Sequence, residues 1–423
     1  MKSNQIDESN SKEDILHPFS FLRLNNSNKY SEEEKKKLPK NPTPTALTKD
    51  EMHSGILFSK ASILKDACIG LNRENGMVEF LDQEYNEKFK EMMLKLVKKF
   101  GSKFFSFNIQ GMSFPADFFD GGSNVDHSFD LTRVFSVLIN KALKTNDRIE
   151  RIKIFSASIF GSSYVYLRKG SFLNPFLGET CQYQLDDGTQ VSSEQTSHHP
   201  PISNMYVVGP NNSYTFFGSM QFEASFKVTY SVGRSNMKLT IRFNDGQEIA
   251  LINPPYTKVI GLLSGSLKFF FKGFQEIIDV KEGIRSVLFY DYGVKSNLFG
   301  GAKSVPKDQV EGLIYYSNDI SKPINSKAKR NADLQDVKKE IAKISGSWFE
   351  KLDFNGVNYW HIDKQLPLKK IYVPDPIPSD FRYREDLIYI KRKDFEKADE
   401  WKDLSENRQR ADLALREKFK NSK

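Results

Sequence analysis

The chain has 423 residues, a formal net charge of +8 and a sequence pI near 9.0. This length is enough for one large domain with a tail, or for a few small domains. The basic balance suits an anionic partner. Because the sequence has no zinc-finger spacing and no recognisable RNA-binding signature, a membrane surface or a phosphorylated ligand is favoured over nucleic acid.

The cysteine count and the lack of long apolar runs indicate the cellular compartment of the chain. Cys68 and Cys181 are the two cysteines, too few for a disulfide framework or a structural zinc site. No stretch reaches the roughly 18 apolar residues of a membrane-spanning helix, and residues 1–12 lack the apolar run of a signal peptide. We therefore expect a cytoplasmic protein that associates peripherally with membranes and uses no cofactor and no metal.

Residues 1–83 are predicted to form a largely flexible, polar tail. Residues 1–53 are rich in Asn, Ser, Lys and Glu and cannot bury enough apolar surface to offset their ordering entropy. Residues 55–83 are more apolar, but their pattern does not define an element.

An amphipathic helix is predicted for residues 84–100. Its apolar side chains recur at i, i+3, i+4, i+7, i+8 and i+11, and Gly101 supplies a stop signal. The apolar face consists of Phe89, Met92, Met93, Leu96, Val97 and Phe100. Two interpretations fit this pattern: a surface helix packed on a core, or a basic segment that covers a pocket or lies on a bilayer.

The periodicity then changes from helical to β. Residues 129–144 have a helical pattern, whereas short runs from about 150 to 320 are rich in β-forming residues, beginning with 152–155 (IKIF). Turn residues at 209–212 and 244–246 predict hairpins. Many short strands in succession predict an antiparallel barrel or sandwich. Residues 398–420 are predicted to form a charged helix.

The most distinctive string is residues 194–201, EQTSHHPP. In a strand, His198 and His199 point to opposite faces unless the two prolines bend the chain. Imidazoles beside a cavity mouth donate hydrogen bonds to phosphate. No His-x-x-x-His pair or nearby Cys completes a metal site, and no nucleophile is marked beside a histidine base. From residue chemistry alone, structural and ligand-binding roles are equally open.

This string resembles the signature of the oxysterol-binding protein family, Glu-Gln-x-Ser-His-His-Pro-Pro. Residues 174–180 (NPFLGET) resemble the family's second motif, while Pro254-Pro255 with Gly261, and residues 344–348 (ISGSW), resemble two later segments. The resemblance covers roughly residues 100–423. No pleckstrin-homology or ankyrin region is evident upstream, so we expect a short member with the lipid-binding domain only.

The resemblance implies a mainly β fold with α: a large near-closed antiparallel β-barrel around an apolar lipid tunnel, with an N-terminal amphipathic lid helix and C-terminal helices. The lipid-binding domain, residues 84–423, would comprise the lid (84–110), a helical entry (111–150), the barrel (151–375) and a C-terminal helical region (376–423).

The resemblance also implies a non-enzymatic carrier without catalytic residues. Its ligand would be a sterol or another single lipid, such as a phospholipid, exchanged between membranes for phosphatidylinositol 4-phosphate. The sequence leaves open one alternative, a membrane-associated lipid sensor or regulator without bulk transfer.

The family's headgroup-binding positions carry over by motif. A Lys, Glu and Arg spaced four residues apart near the C-terminus fall on one helical face. The residues implied to bind the phosphoinositide headgroup are His198, His199, Asn174, Glu179, Lys402, Glu406 and Arg410. One departure is that the family's Lys-Pro pair before the second motif is replaced by Ser171-Phe172, which removes a positive charge.

Overall fold

An antiparallel sheet of sixteen strands organises the part of the chain that the structure, a computed structural model, describes. The described residues are 69–101, 114–127, 129–163, 171–198, 200–227, 229–296, 302–364 and 367–421. The strands are β1 (Ile69–Leu71), β2 (Val78–Phe80), β3 (Phe119–Ser123), β4 (Ser171–Leu173), β5 (Thr180–Leu185), β6 (Gln190–His198), β7 (Pro201–Val208), β8 (Tyr214–Phe226), β9 (Tyr230–Phe243), β10 (Glu248–Asn253), β11 (Tyr256–Ile260), β12 (Lys268–Asp279), β13 (Ile284–Tyr290), β14 (Val294–Ser296), β15 (Ala302–Ser304), β16 (Gln309–Ser317), β17 (Val337–Ser347), β18 (Lys351–Phe354), β19 (Val357–His361) and β20 (Lys370–Tyr372). The α-helices are α1 (Gln83–Phe100), α2 (Asn124–His127), α3 (Leu131–Ala142), α4 (Arg148–Ser162), α5 (Glu385–Lys391) and α6 (Phe395–Asn421).

The sheet is a meander in which chain neighbours are mostly sheet neighbours. Its hydrogen-bonded path runs β19-β18-β17-β16-β13-β12-β10-β9-β8-β7-β6-β5-β20, and β1, β2 and β11 attach at its side. β3 and β4 form a separate parallel pair, and β14 pairs with β15. The prediction of a mainly β fold built on a large antiparallel sheet is confirmed. None of the helices within the described ranges has the length and apolar character needed to cross a membrane.

Several local predictions are confirmed. The helical pattern of 129–144 corresponds to α3, and the charged C-terminal pattern corresponds to α6. The turn signals at 209–212 and 244–246 join β7 to β8 and β9 to β10. Helix α1 begins after Asp82, whose side chain accepts a hydrogen bond from the Tyr85 amide, and ends at Gly101 with a φ of 58°.

The predicted end of the tail at residue 83 is wrong. β1 and β2 form a hairpin at residues 69–80, and β2 pairs with β12 through Glu79 opposite Lys268 and Val78 opposite Phe269. Val78 is fully buried. The apolar residues in this stretch are too few to show a period, and their burial depends on a strand almost two hundred residues away.

The strand predicted at residues 152–155 is also wrong, because these residues belong to α4. The helix begins after Asp147, whose carboxylate caps it by accepting hydrogen bonds from the amides of Ile149 and Glu150. Helix α4 is buried on most sides, so its apolar residues do not form a single stripe. A short run of Ile and Phe then fits a strand as well as a helix.

The main core lies between the sheet and the helices α3 and α4. Phe135 of α3 stacks on Phe216 of β8 at 4.0 Å between ring centroids, and Phe155 of α4 meets both rings edge-on. The helices therefore cover the inner face of the sheet, and their side chains limit the space left inside it.

A buried cluster of Lys370, Asp126 and Asp130 fixes α2 against β20. The Lys370 ammonium is 2.6 Å from an oxygen of each aspartate, and Tyr372 donates a hydrogen bond to Asp126 at 2.9 Å. Burial alone would raise the pKa of each carboxyl, but the adjacent Lys370 charge and the neighbouring His127 together outweigh burial and lower both pKa values, with Arg133 contributing at Asp130.

We expect Lys370→Met to lower the free energy of unfolding at neutral pH by about 3–5 kcal/mol, because two buried carboxylates lose their partner. Urea denaturation measures this change. The matched control is Arg73→Met, which removes an exposed pair with Glu350 at 3.3 Å and should cost about 0–1 kcal/mol.

The loss should also depend on pH. The two aspartates have lowered pKa values, so their stabilising contribution is full above an unfolded-state pKa of about 4 and is lost as pH falls through the folded values. Without Lys370, burial raises both pKa values and protonation relieves the cost. The difference in the free energy of unfolding between the wild type and Lys370→Met should therefore decrease as the pH falls from 7 to 4. A gap that is constant with pH would contradict the assigned role of the cluster.

Candidate functional site

A cavity of about 380 Å³ lies between the inner face of the sheet and the helices α3 and α4. Its walls are mainly apolar, with Phe269 and Phe271 of β12 on one side and Leu131 and Ile159 of the helices on another. Pro254 and Pro255, the proline pair noted in the sequence, line it as well. This volume is within the range of about 300–1,000 Å³ for pockets that enclose small ligands.

Helix α1 packs beside this cavity. Met93 and Leu96 are buried against Leu262 and Leu267 of the loop after β11. The other described members of the predicted apolar face, Phe89, Met92 and Val97, are partly buried in the same cluster, whereas the Phe100 side chain is outside the described residues. The apolar face predicted from the sequence is therefore the packed face of α1.

Two side chains connect α1 with the cavity. Phe80 and Val259 line the cavity and also pack against the cluster that α1 forms. Phe89, on the same packed face of α1, also meets Phe118 at 6.0 Å between ring centroids. A change in the position of α1 would therefore alter the cavity wall.

The two sequence motifs meet in space. The Gly178 amide donates to the Gln195 carbonyl at 2.8 Å, and the Gln195 amide donates to the Glu179 carbonyl at 2.9 Å. Gly178 has a φ of 82°, which a residue with a side chain rarely adopts. The glycine of the NPFLGET motif thus lets its loop lie against the strand that ends in His198.

The chain turns directly after that strand. His198 is the last residue of β6 and is opposite Pro201, the first residue of β7. This agrees with the bend expected from the two prolines. His199 lies outside the described residues. Asn174 is exposed, at the start of the neighbouring loop.

Arg384 is the buried cation that ties this loop to the C-terminal helices. Its guanidinium makes a two-point contact with Asp386, at 3.0 and 2.6 Å. The Nη1 atom of the same group donates to the Asn174 carbonyl at 2.8 Å and to Glu179 at 3.0 Å. The Arg384 guanidinium also lies over the Phe176 ring, 4.1 Å from the ring centroid. One side chain therefore joins the start of α5 to the NPFLGET loop.

Glu179 is 1% exposed and its carboxylate has partners within the protein. It accepts hydrogen bonds from the Ser123 hydroxyl, the Phe176 amide and Arg384. Burial raises the pKa of Glu179, and these partners only partly offset that effect. The geometry of Glu179 therefore fits a role in positioning the loop, and it fits direct contact with an anionic headgroup less well.

Lys402, Glu406 and Arg410 lie together on α6, as their spacing predicts. Glu406 is 3.4 Å from the Lys402 ammonium and 3.0 Å from the Arg410 guanidinium. Lys402 is only 3% exposed, whereas more than half of the Arg410 side chain is exposed. Glu406 is the shared acidic partner of both cations, so it holds them on one face.

Helix α6 is anchored near α1. Asp399 of α6 accepts a hydrogen bond from the Ala116 amide at 2.8 Å, in the segment that brings Phe118 to α1. The sequence analysis did not identify Arg384, Asp386 or Ser123 as part of this region. The alternation of acids and arginines in 380–386 (DFRYRED) is a signal that could have indicated a buried charge network.

An antiparallel sheet that encloses an apolar cavity, with helices beside it, is the architecture of a protein that surrounds a small ligand. The family model described as oxysterol-binding protein matches residues 97–423. The chain belongs to the oxysterol-binding protein family, as the motifs predicted.

Similar proteins cover different shares of the chain. Oxysterol-binding protein 9 of Dictyostelium discoideum is 27% identical over 79% of this chain and 78% of its own length. Oxysterol-binding protein-related protein 1 of Mus musculus is 31% identical over a region that covers 51% of this chain and 20% of that longer relative.

Solved structures show the same fold at low identity. The Osh3 ORD in complex with PI(4)P from Saccharomyces cerevisiae has a TM-score of 0.57 and 20% identity, covering 77% of this chain and 84% of that one. The Osh1 ORD domain in complex with ergosterol has a TM-score of 0.60 and 18% identity, covering 88% and 90%.

We expect Arg384→Lys to destabilise the protein by about 1.5–3 kcal/mol, because an ammonium cannot reproduce the planar contact with Asp386 and still reach Asn174 and Glu179. Hydrogen exchange should speed up at the amides of Gly178 and Gln195. The control is Arg410→Lys at an exposed ion pair, for which we expect a change within about 0.5 kcal/mol. Equal losses in the two variants would contradict the structural role of Arg384.

Proposed function

We propose that this chain binds one lipid in the cavity and transfers it between membranes, without catalysing a reaction. The observation that carries the proposal is an apolar cavity beside the packed helix α1, in a chain whose two motifs are joined by backbone hydrogen bonds. The similar Osh3 and Osh1 domains are complexes with PI(4)P and with ergosterol, which supports a sterol or another single lipid, exchanged for phosphatidylinositol 4-phosphate.

The proposed headgroup site combines His198 and His199 with the cations of α6. Lys402 and Arg410 are held on one face by Glu406, and Arg384 links α5 to the loop that carries Asn174. Imidazole, ammonium and guanidinium groups all donate hydrogen bonds to phosphate. We assign Glu179 a supporting role, because a buried carboxylate beside a phosphate would repel it.

Helix α1 is proposed as a lid over the cavity. Its buried face shares Phe80 and Val259 with the cavity wall, so a bound lipid and α1 would stabilise each other. We propose that the lid and barrel act within one lipid-binding domain, which includes the hairpin from residue 69 as well as the region matched by the family model. Peripheral contact with membranes in the cytoplasm fits such a carrier.

The test of the proposal is lipid transfer between liposomes by the purified chain. Replacing His198 and His199 with Ala should weaken phosphatidylinositol 4-phosphate binding by roughly two to four orders of magnitude, because each charge-assisted hydrogen bond contributes about 1.5–3 kcal/mol. Sterol binding should fall far less. His361→Ala, on the edge strand β19, is the control and should leave both affinities unchanged.

Turnover separates a carrier from a sensor. Delivery of many lipid molecules per protein supports transfer, whereas stoichiometric binding without delivery would support a membrane-associated sensor.

Ser171→Lys restores the positive charge that the family has at this position, and we expect it to strengthen phosphoinositide binding without strengthening sterol binding. If the protein neither binds nor delivers sterol, phosphatidylserine or phosphoinositide, the proposal is wrong.

We expect Met93→Asp combined with Val97→Asp to reduce ligand retention, because two charges would enter the packed face of α1. Release of a fluorescent sterol measures retention, and thermal unfolding checks that the fold persists. Leu94→Asp is the matched control, since Leu94 is 48% exposed. If Leu94→Asp weakens membrane binding and the double variant retains ligand, α1 lies on the bilayer through its exposed face and is no lid.

A further inference from the structure

A second concave site lies where the helices α3 and α4 meet the strand β19. It is a groove of about 400 Å³, called the β19 groove below, and it shares no lining residue with the lipid cavity. The apolar part of its lining consists of Leu138, Ile154, Ala157 and Val357. The groove and the cavity are therefore separate sites, although α3 and α4 contribute to both.

One side of the β19 groove is an edge of the large sheet. β19 is the last strand of the hydrogen-bonded path, and within the described ranges β18 is its one strand partner. An edge strand has main-chain N–H and C=O groups that can pair with another extended chain. β19 has no lysine or proline, which commonly block such pairing, and Val357 at its start is 61% exposed. The edge can therefore accept one more strand.

The β19 groove also has an excess of positive charge. Glu150 is the acidic residue of its described lining, and it accepts a hydrogen bond from the Tyr359 hydroxyl at 2.8 Å and lies 3.4 Å from the Lys153 ammonium. Lys141 and Lys144 line the groove as well and are exposed. No carboxylate of the described residues pairs with either lysine, so an incoming acidic group would meet both without breaking an ion pair.

An unpaired strand edge beside a basic groove fits an extended, acidic peptide. Main-chain hydrogen bonds to β19 would hold the peptide, an apolar side chain would lie against Val357 and Ile154, and carboxylates would contact the two lysines. A flat bilayer cannot pair with a strand edge inside a groove. A second copy that paired through its own β19 would bring the same lysines to the interface, and like charges would oppose it.

We propose that the β19 groove binds an extended acidic segment of a partner protein, which adds to the sheet as a strand beside β19. The site does not depend on the proposed lipid-carrier function, because none of its lining residues lines the cavity. It gives the protein a surface for a protein partner that a loaded or an empty cavity leaves accessible.

The test is fluorescence polarisation of a labelled peptide with the full chain. The probe is a peptide of three valines flanked on each side by two glutamates, and its matched control has lysines in place of the glutamates. We expect the acidic peptide to bind about tenfold more tightly, and added salt should weaken it. N-methylation of the valine amides should abolish its binding, because the donors that pair with β19 are lost. Hydrogen exchange at the β19 amides should slow when the acidic peptide binds.

Lys141→Glu combined with Lys144→Glu should weaken binding of the acidic peptide at least tenfold, because two attractions become two repulsions. Lys338→Glu combined with Lys339→Glu is the matched control. It makes the same change in net charge at exposed residues of β17, and the affinity should stay within about twofold. Thermal unfolding checks that both variants fold.

Three results would overturn the proposal: equal affinity for the acidic and basic peptides, undiminished binding of the N-methylated peptide, or equal losses in the two double variants. A fourth comes from vesicles that contain phosphatidylserine. If the acidic peptide does not bind and Lys141→Glu with Lys144→Glu weakens vesicle binding, the two lysines contact a membrane surface and the groove is no peptide site.

Discussion

The buried guanidinium of Arg384 is the constraint on which the proposed headgroup region depends. Its contacts with Asp386, Glu179 and the Asn174 carbonyl join the start of α5 to the NPFLGET loop. That loop pairs with β6 through Gly178 and Gln195, and α5 leads into α6. The histidine strand and the cations of α6 are remote in sequence, so a rigid link of this kind is needed before they can serve one ligand.

Burying this many charged side chains costs desolvation free energy. Ion pairs between opposite charges offset part of this cost. Arg382 is paired with Asp380, Arg384 with Asp386 and Glu179, and Lys370 with two aspartates. Hydrophobic replacements of buried ion pairs are often as stable as the pairs they replace, so stability alone does not explain them. Their directional contacts do fix the relative placement of strand ends and helices, which apolar packing specifies less sharply.

Local features of this fold were predictable from the sequence, while long-range ones were not. The apolar face of α1, the hairpin turns and α6 follow from spacing within one element. Helix α4 was mistaken for a strand because it is buried on most sides and shows no amphipathic stripe. The motifs identified the family, but Arg384 acts through Asn174 and Glu179, which are far away in sequence. An isolated Arg carries no local pattern that distinguishes it from a surface residue.

The distribution of charge separates two kinds of ligand contact. The cavity wall carries no charged side chain among its described residues, whereas Lys402 and Arg410 lie on α6 with Glu406 between them. A charged headgroup inside the cavity would lose its hydration without gaining a counter-ion, while an uncharged lipid gains little from the cations outside. Under the proposed carrier function, a phosphorylated lipid would keep its headgroup at the charged region, whereas an uncharged lipid would be held by the cavity wall alone. Because α1 contacts both the cavity wall and the Phe118 segment next to α6, the same helix would sense either mode of occupancy.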